Sequence, residues 1–191
     1  IGLNFASGLR SILRHDPDVI LVGEIRDKDT AGISIQSSLT GHLVLSTLHT
    51  NDSASAFNRL LDMGMEDFLV STCVIAVLAQ RLVRKLCDCK EEYNVDKEIK
   101  TRVGFTDKMK MYRPRGCSEC SITGYRGRVA ISELLVVNDN IRKMIVNHER
   151  SKVIQQEAMK NGMKTLWQDG LAKVAAGVTS LNELERVTDM E

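Results

Sequence analysis

The run Val19-Ile20-Leu21-Val22, closed by Gly23 and Glu24, constrains this chain more than any other stretch. Four consecutive apolar residues make a strand that is apolar on both faces. Such a strand belongs in a parallel sheet covered by helices. The flanking sequence supplies those helices. Asn4 caps a helix through Phe5, Leu9, Ile12 and Leu13, which stops near Asp16 because Pro17 disfavours helical backbone at the residue before it. Asp27 to Leu39 spaces Ala31, Ile35 and Leu39 four apart, a helical stripe that Gly41 closes. His42 to Leu48 is a second strand centred on Leu43-Val44-Leu45. Helices follow over about 53–62 and, longer, over about 67–85. Strand and helix in alternation predict an α/β domain with a parallel sheet.

The character changes at Cys87. From there to about Lys110 the chain is polar, mixed in charge and without a sustained period. A hairpin-like stretch from Met111 leads to Cys117 and Cys120, Arg128 to Val137 reads as a strand, and the remainder is helical. Ser151 and Ser180 are N-cap candidates. Ser180-Leu181-Asn182-Glu183 has the pattern of a reciprocal cap, and Gly162 and Gly177 suit helix ends. The expected organisation is therefore 1–86, 87–127 and 128–191. A hydrophobic fraction of 43% beside 27% charged residues describes a folded globular protein, and a net charge of +1 gives no field that would draw nucleic acid or an anionic membrane. The longest uncharged run, 68–80, is 13 residues, against about 20 for a membrane span. The chain shows no secretory leader and opens on Ile1 rather than Met, which suggests a fragment.

Two motifs carry chemistry. A buried parallel strand that delivers Glu24 at its C-terminal end has the layout of a Walker B element, since nucleotides bind where the loops of such sheets converge. A carboxylate there can hold the magnesium shell or polarise the attacking water; alone, it is equally a solvated Glu after a core strand. The second motif runs from Thr40 to Asp52. His42 and His49 lie on opposite faces and at opposite ends of an extended run, so they cannot share one metal. His42 is either a satisfied structural histidine or a cofactor contact, and His49 is a candidate γ-phosphate contact.

Together, Gly23-Glu24-Ile25-Arg26-Asp27, Leu39-Thr40-Gly41-His42-Leu43-Val44-Leu45-Ser46-Thr47-Leu48-His49-Thr50-Asn51 and Leu78-Ala79-Gln80-Arg81-Leu82-Val83-Arg84-Lys85-Leu86-Cys87 closely resemble the type II secretion and type IV pilus ATPase family. Thr123-Gly124-Tyr125-Arg126-Gly127-Arg128 and Glu133-Leu134-Leu135 extend the likeness, which covers about 5–187. The resemblance implies a partial RecA-like core, a hexamer with ATP and Mg2+ between neighbouring subunits, docking on inner-membrane platform proteins, and a cytoplasmic place at the inner membrane face. It implies Glu24 as the Walker B acid and His42 to His49 as the His box. Within the family, Val77 to Arg84 is more similar to the secretion branch. One departure matters: the chain has no Gly-x-x-x-x-Gly-Lys-Ser/Thr and no Gly-Lys dipeptide. The loop whose backbone donors and lysine cradle the phosphates is missing, so residues 1–191 are expected to hold half an active site.

The remaining candidates are cysteines and arginines. Cys87 and Cys89, joined by a 27-residue loop to Cys117 and Cys120, suit a structural Zn2+ bound by four thiolates. The family's module usually has two residues inside each pair, and the single residue between Cys87 and Cys89 departs from that. Cys73 sits in an apolar stripe and is expected in the core. Arg10, Arg14 and Arg26 are either a solvated cationic face or subunit-boundary residues of an oligomeric ATPase, and Arg128 is a further candidate for facing nucleotide. Two rival readings are a non-catalytic zinc-bearing assembly module and a nucleic-acid-handling RecA-like ATPase. Near-neutral charge and 4% aromatic residues disfavour the latter.

Overall fold

The computed structural model describes residues 5–105 and 110–188; Asn4, the expected helix cap, lies outside them. The element order is α1 (Phe5–Leu13), β1 (Val19–Val22), α2 (Lys28–Leu39), β2 (Leu43–Ser46), α3 (Ser55–Asp62), α4 (Asp67–Cys73), β3 (Ala76–Leu86), β4 (Glu91–Tyr93), α5 (Lys97–Arg102), β5 (Met111–Arg113), β6 (Tyr125–Val136), α6 (Asp139–Val146), α7 (Ser151–Lys160), α8 (Leu166–Ala175) and α9 (Leu181–Val187). Two compact units result, one of Ile1–Val77 with Leu134–Met163, the other of Leu78–Glu133 with Lys164–Glu191. The paired strands β3 and β6 each run from one unit into the other.

In the first unit β1 and β2 pair in parallel, Val19 opposite Leu43 through Val22 opposite Ser46. Pro17 ends α1 as expected: Asp16 takes φ +50° and the helix stops at Leu13. Asp27 caps α2, its carboxylate accepting from the Thr30 amide at 2.8 Å and the Thr30 hydroxyl at 3.0 Å. Ile20 and Val22 pack with Leu9, Ile25, Ala31 and Ile33. The other face of the strand pair is not covered. Val19 and Leu21 are 54% and 76% exposed, and Leu43 and Leu45 are exposed beside them. The expectation of a strand buried on both sides therefore holds for one side of β1. A second cluster in this unit gathers Phe57, Val70, Leu135, Ile141, Ile145 and Ile154 from α3, α4, β6, α6 and α7. Each such side chain removed from water contributes about 1.5–3 kcal/mol. Cys73 lies half-buried at the edge of this cluster, and burial raises its thiol above the ordinary value.

One expected helix divides. The stretch over 67–85 is helical only as α4, and Ala76 onward is the strand β3. Val74, Ile75 and Val77 are β-branched, and from Ala76 to Val83 exposure alternates residue by residue, with Val83 fully buried. Packing along the ladder with β6 overrides a pattern whose Leu78-Leu82 spacing also fits a helix.

In the second unit the segment from Met111 pairs antiparallel with Glu91–Tyr93, and the intervening polar stretch contains α5. The core brings together Val83, Met111, Ile131, Trp167, Val174 and Leu184. Gly162 and Gly177 do follow helix ends, with φ +93° and +66°. Ser151 opens α7 as its first helical residue, with Arg150 in the cap position. Ser180 caps α9 by accepting from the Glu183 amide at 3.2 Å, but the Glu183 carboxylate does not complete a reciprocal cap. It is buried, and it accepts from the Arg84 amide (2.9 Å), Arg84 Nε and Nη2 (3.0 and 2.7 Å), and Arg186 Nε and Nη2 (3.0 and 2.8 Å). Arg84 also stacks on the Tyr125 ring at 4.2 Å, and the Tyr125 hydroxyl meets Ser180 Oγ at 2.7 Å.

Burial alone would push the Glu183 carboxyl up, but the arginine donors outweigh it and set the group at about 2. Because the folded value lies below the ordinary 4.5, the linked stability is complete above about pH 4.5 and is lost as pH falls toward about 2. We expect Glu183→Ala to destabilise this unit by about 3 kcal/mol, the low end for a broken buried pair because both arginines reach solvent. Urea unfolding across that pH range checks it: the difference from the native chain should shrink as pH drops.

Candidate active site and candidate metal centre

Parallel pairing sends the ends of β1 and β2 out of the same edge, and the chain holds them together for one step beyond the strands. The Ile25 amide donates to the Thr47 carbonyl at 3.0 Å, and the Thr47 hydroxyl donates to the Gly23 carbonyl at 2.7 Å. Glu24 lies between these two bonds. Ile25 is buried, and the Glu24 side chain keeps 27% exposure. Its Oε2 accepts from Arg26 Nε at 2.7 Å and meets His49 Nε2 at 3.1 Å. The Arg26 bond foremost, opposed by partial burial and helped by His49, holds the carboxyl below its usual value, so it is a carboxylate at neutral pH. The loop bearing His49 is tied down in turn. Asp52 accepts from the Ser55 amide at 2.7 Å and the Ser55 hydroxyl at 2.9 Å at the start of α3.

The structure thus brings Glu24, His49 and Arg26 together. His42 is elsewhere, just before β2, where its Nδ1 lies 2.9 Å from the Ser37 carbonyl and 3.1 Å from Thr40 Oγ1. Those contacts fasten it to the end of α2. Arg10 is exposed on α1, and Arg14 follows in the next turn with its Nη2 on Ser11 Oγ at 3.2 Å. Arg128 is exposed on β6 in the second unit. Sequence reasoning missed Thr47, whose only signal was a hydroxyl residue just past an apolar strand. It also gave no hint that Arg26 reaches back to Glu24.

In the second unit the four sulfurs of Cys87, Cys89, Cys117 and Cys120 lie within 4.8 Å of one another. Cys87 and Cys89 follow β3, and Cys117 and Cys120 bracket a 3-10 turn over Ser118–Cys120. The Sγ–Sγ separations are 3.9 Å for Cys87–Cys117, 3.9 Å for Cys89–Cys120 and 3.7 Å for Cys117–Cys120. A tetrahedron with metal–sulfur bonds of about 2.3 Å has edges of about 3.8 Å, so the donor set fits a tetrahedral thiophilic ion. The single residue between Cys87 and Cys89 does not prevent convergence.

Backbone amides reinforce the arrangement. Cys117 N–H and Gly124 N–H point at Cys120 Sγ from 3.2 and 3.1 Å. Gly124 has to be glycine: its φ is +75°, and a Cβ there would fall 2.3 Å from Pro114 Cβ. Burial raises the Cys120 thiol, but these amides and the neighbouring sulfurs more than reverse that and bring it to about 6. Cys89 goes the other way, pushed up to about 12 by burial and by the three other thiols against the Gly116 amide. One thiol drawn down beside another pushed up fits a crowded cluster in which the sulfurs compete for the same few donors.

Among the described residues no helix is long and apolar enough to cross a membrane. The family model described as "Type II/IV secretion system protein" matches residues 1–186. The chain is 51% identical over 192 residues to type II secretion system protein E of Pectobacterium carotovorum subsp. carotovorum, covering 100% of this chain and 38% of that protein. It is 50% identical over 188 residues to the type IV pilus assembly ATPase PilB of Thermus thermophilus, covering 96% of this chain and 21% of the relative. Among solved structures it is similar to the pilus retraction motor PilT with bound ADP, at a TM-score of 0.68 and 26% identity over 97% of this chain and 44% of that one. The chain therefore spans less than half the length of each of these relatives. With the Glu24 loop, the following histidine loop and the four cysteines all inside the matched region, the chain belongs to the type II/IV secretion system protein family.

Proposed function

We propose that this chain is part of a hexameric ATP-hydrolysing motor that drives type II protein secretion or type IV pilus assembly. The observation that carries the reading is the Glu24 carboxylate at the open end of a parallel strand pair, ionised and flanked by His49 and Arg26. Glu24 orders the water that attacks the γ-phosphorus and accepts its proton, and His49 contacts the γ-phosphate. When bound, Mg2+ would offset the charge of the phosphates. The loop that would cradle those phosphates is not contained in residues 1–191. His42 steadies the turn into β2, and Arg10 and Arg14, with Arg128 as a further candidate, face a neighbouring subunit or its nucleotide. The working place we assign is the cytoplasmic face of the inner membrane, on platform proteins of the secretion or pilus machinery, with no nucleic acid involved.

The cysteine cluster takes Zn2+ in this reading. Cys87, Cys89, Cys117 and Cys120 would hold the ion, and four thiolates would leave no position for a reactant, so it would contribute to the fold of the second unit and not to hydrolysis.

Two measurements test these assignments. In the full-length protein Glu24→Gln should keep ATP binding and lower turnover about 10²–10⁴-fold, since it removes a proton acceptor and leaves the phosphate cradle intact; residues 1–191 alone should hydrolyse no ATP above background. Turnover near the native rate in Glu24→Gln would refute the Walker B assignment. Elemental analysis of protein never exposed to chelator should find about one Zn2+ per chain. Cys120→Ala should lower the zinc content and the unfolding temperature together, and a metal-free native protein would end the zinc reading.

A further inference from the structure

Glu24 is gripped twice, once through its backbone and once through its side chain. The regular β1–β2 ladder ends at Val22 opposite Ser46. Beyond it, Thr47 supplies a bond on each side of Glu24: its carbonyl takes the Ile25 amide and its hydroxyl takes the Gly23 carbonyl. The side chain is constrained differently. Arg26 Nε and His49 Nε2 converge on the same oxygen, Oε2, at 2.7 and 3.1 Å.

A carboxylate with one donor, or with one on each oxygen, either turns about its last torsion or has no oxygen left. Two donors on one oxygen fix the plane of the group and leave the second oxygen as an acceptor of known direction. The Arg26–Glu24 pair is not where stability comes from: with Arg26 70% exposed, such a pair contributes little to folding. Its consequence is geometric.

We propose that Arg26 and Thr47 are positioning residues for Glu24: Thr47 holds the backbone on either side of it, and Arg26 pins Oε2 so that Oε1 is presented to the attacking water. This rests on the assignment of Glu24 above. Holding the acceptor within a narrow range of directions lowers the barrier without adding any contact to ATP, so loss of either residue should appear in kcat and not in KM. A subunit-boundary role for Arg26 would instead appear as lost assembly.

The test uses the full-length hexameric protein. Arg26→Ala and Thr47→Val should each lower kcat at least about 10-fold with KM for ATP within about twofold, unchanged unfolding temperature and unchanged hexamer content by size-exclusion chromatography with light scattering. Thr47→Ser keeps the hydroxyl and should restore most of kcat. Arg26→Lys keeps a charge but not the Nε geometry, and should restore only part. Native kcat in Arg26→Ala and Thr47→Val, beside an inactive Glu24→Gln, would overturn the positioning roles and leave Glu24 standing. An active Glu24→Gln would remove the underlying assignment instead. Loss of hexamer in Arg26→Ala with normal kcat per remaining hexamer would place Arg26 at a subunit boundary and overturn its positioning role.

Discussion

The candidate active site depends on the parallel, in-register pairing of β1 with β2. Parallel strands deliver their following loops at one edge, so an acid after the first strand and a histidine after the second meet without a long excursion of either loop. A slip of one residue would turn Ile20 and Val22 out of the core and swing Glu24 to the other side of its strand. The burial of Ile20 and Val22 therefore fixes the register, and Thr47 keeps the two segments joined past the last ladder pair. Hydrophobic burial sets the position of the carboxylate to within a residue, and two hydrogen bonds refine it from there.

Both strands of this pair were legible because apolar runs closed by Gly23 and opened by Gly41 leave few alternatives. The helix cap at Ser180 was legible for a local reason: a short polar side chain that bonds the amide three residues on needs nothing from the rest of the chain. What escaped the sequence depended on partners far away. Ala76 to Leu86 carries apolar residues at spacings that suit either helix or strand, and the tie was broken by β6, about 50 residues later. The Glu183 side chain fitted a local cap pattern, but two arginines offered a charged carboxylate more than one backbone amide could. In each case tertiary context outweighed a local preference.

The cysteine cluster shows the opposite balance. Cysteine spacing named all four candidate ligands, while the irregular first pair left their convergence open. The structure closes that gap through backbone, not through the cysteines themselves. Cys87 N–H bonds the Gly124 carbonyl at 2.9 Å, and Gly124 N–H points at Cys120 Sγ, so one glycine peptide links the two halves of the cluster. A spacer one residue shorter than usual is tolerable when the turn it shortens is not the one that supplies the amides.

Glu24 and Glu183 share a chemistry and differ in use, and the difference lies in their surroundings. Each is a carboxylate held below its ordinary value by arginine. Glu183 is sealed from water, and both of its oxygens are engaged by donors from Arg84 and Arg186. A carboxylate with both oxygens committed can hold a helix and a strand together, but it has nothing to offer a reactant. Glu24 stands at an open strand end with both donors on one oxygen, which costs the fold little and leaves an ionised acceptor facing outward. The lowered value keeps the buried group charged for its partners, and it keeps Glu24 ionised at neutral pH, which the proposed role requires. Environment separates a structural carboxylate from a chemical one, and in this chain the separation is made by which oxygens are left over.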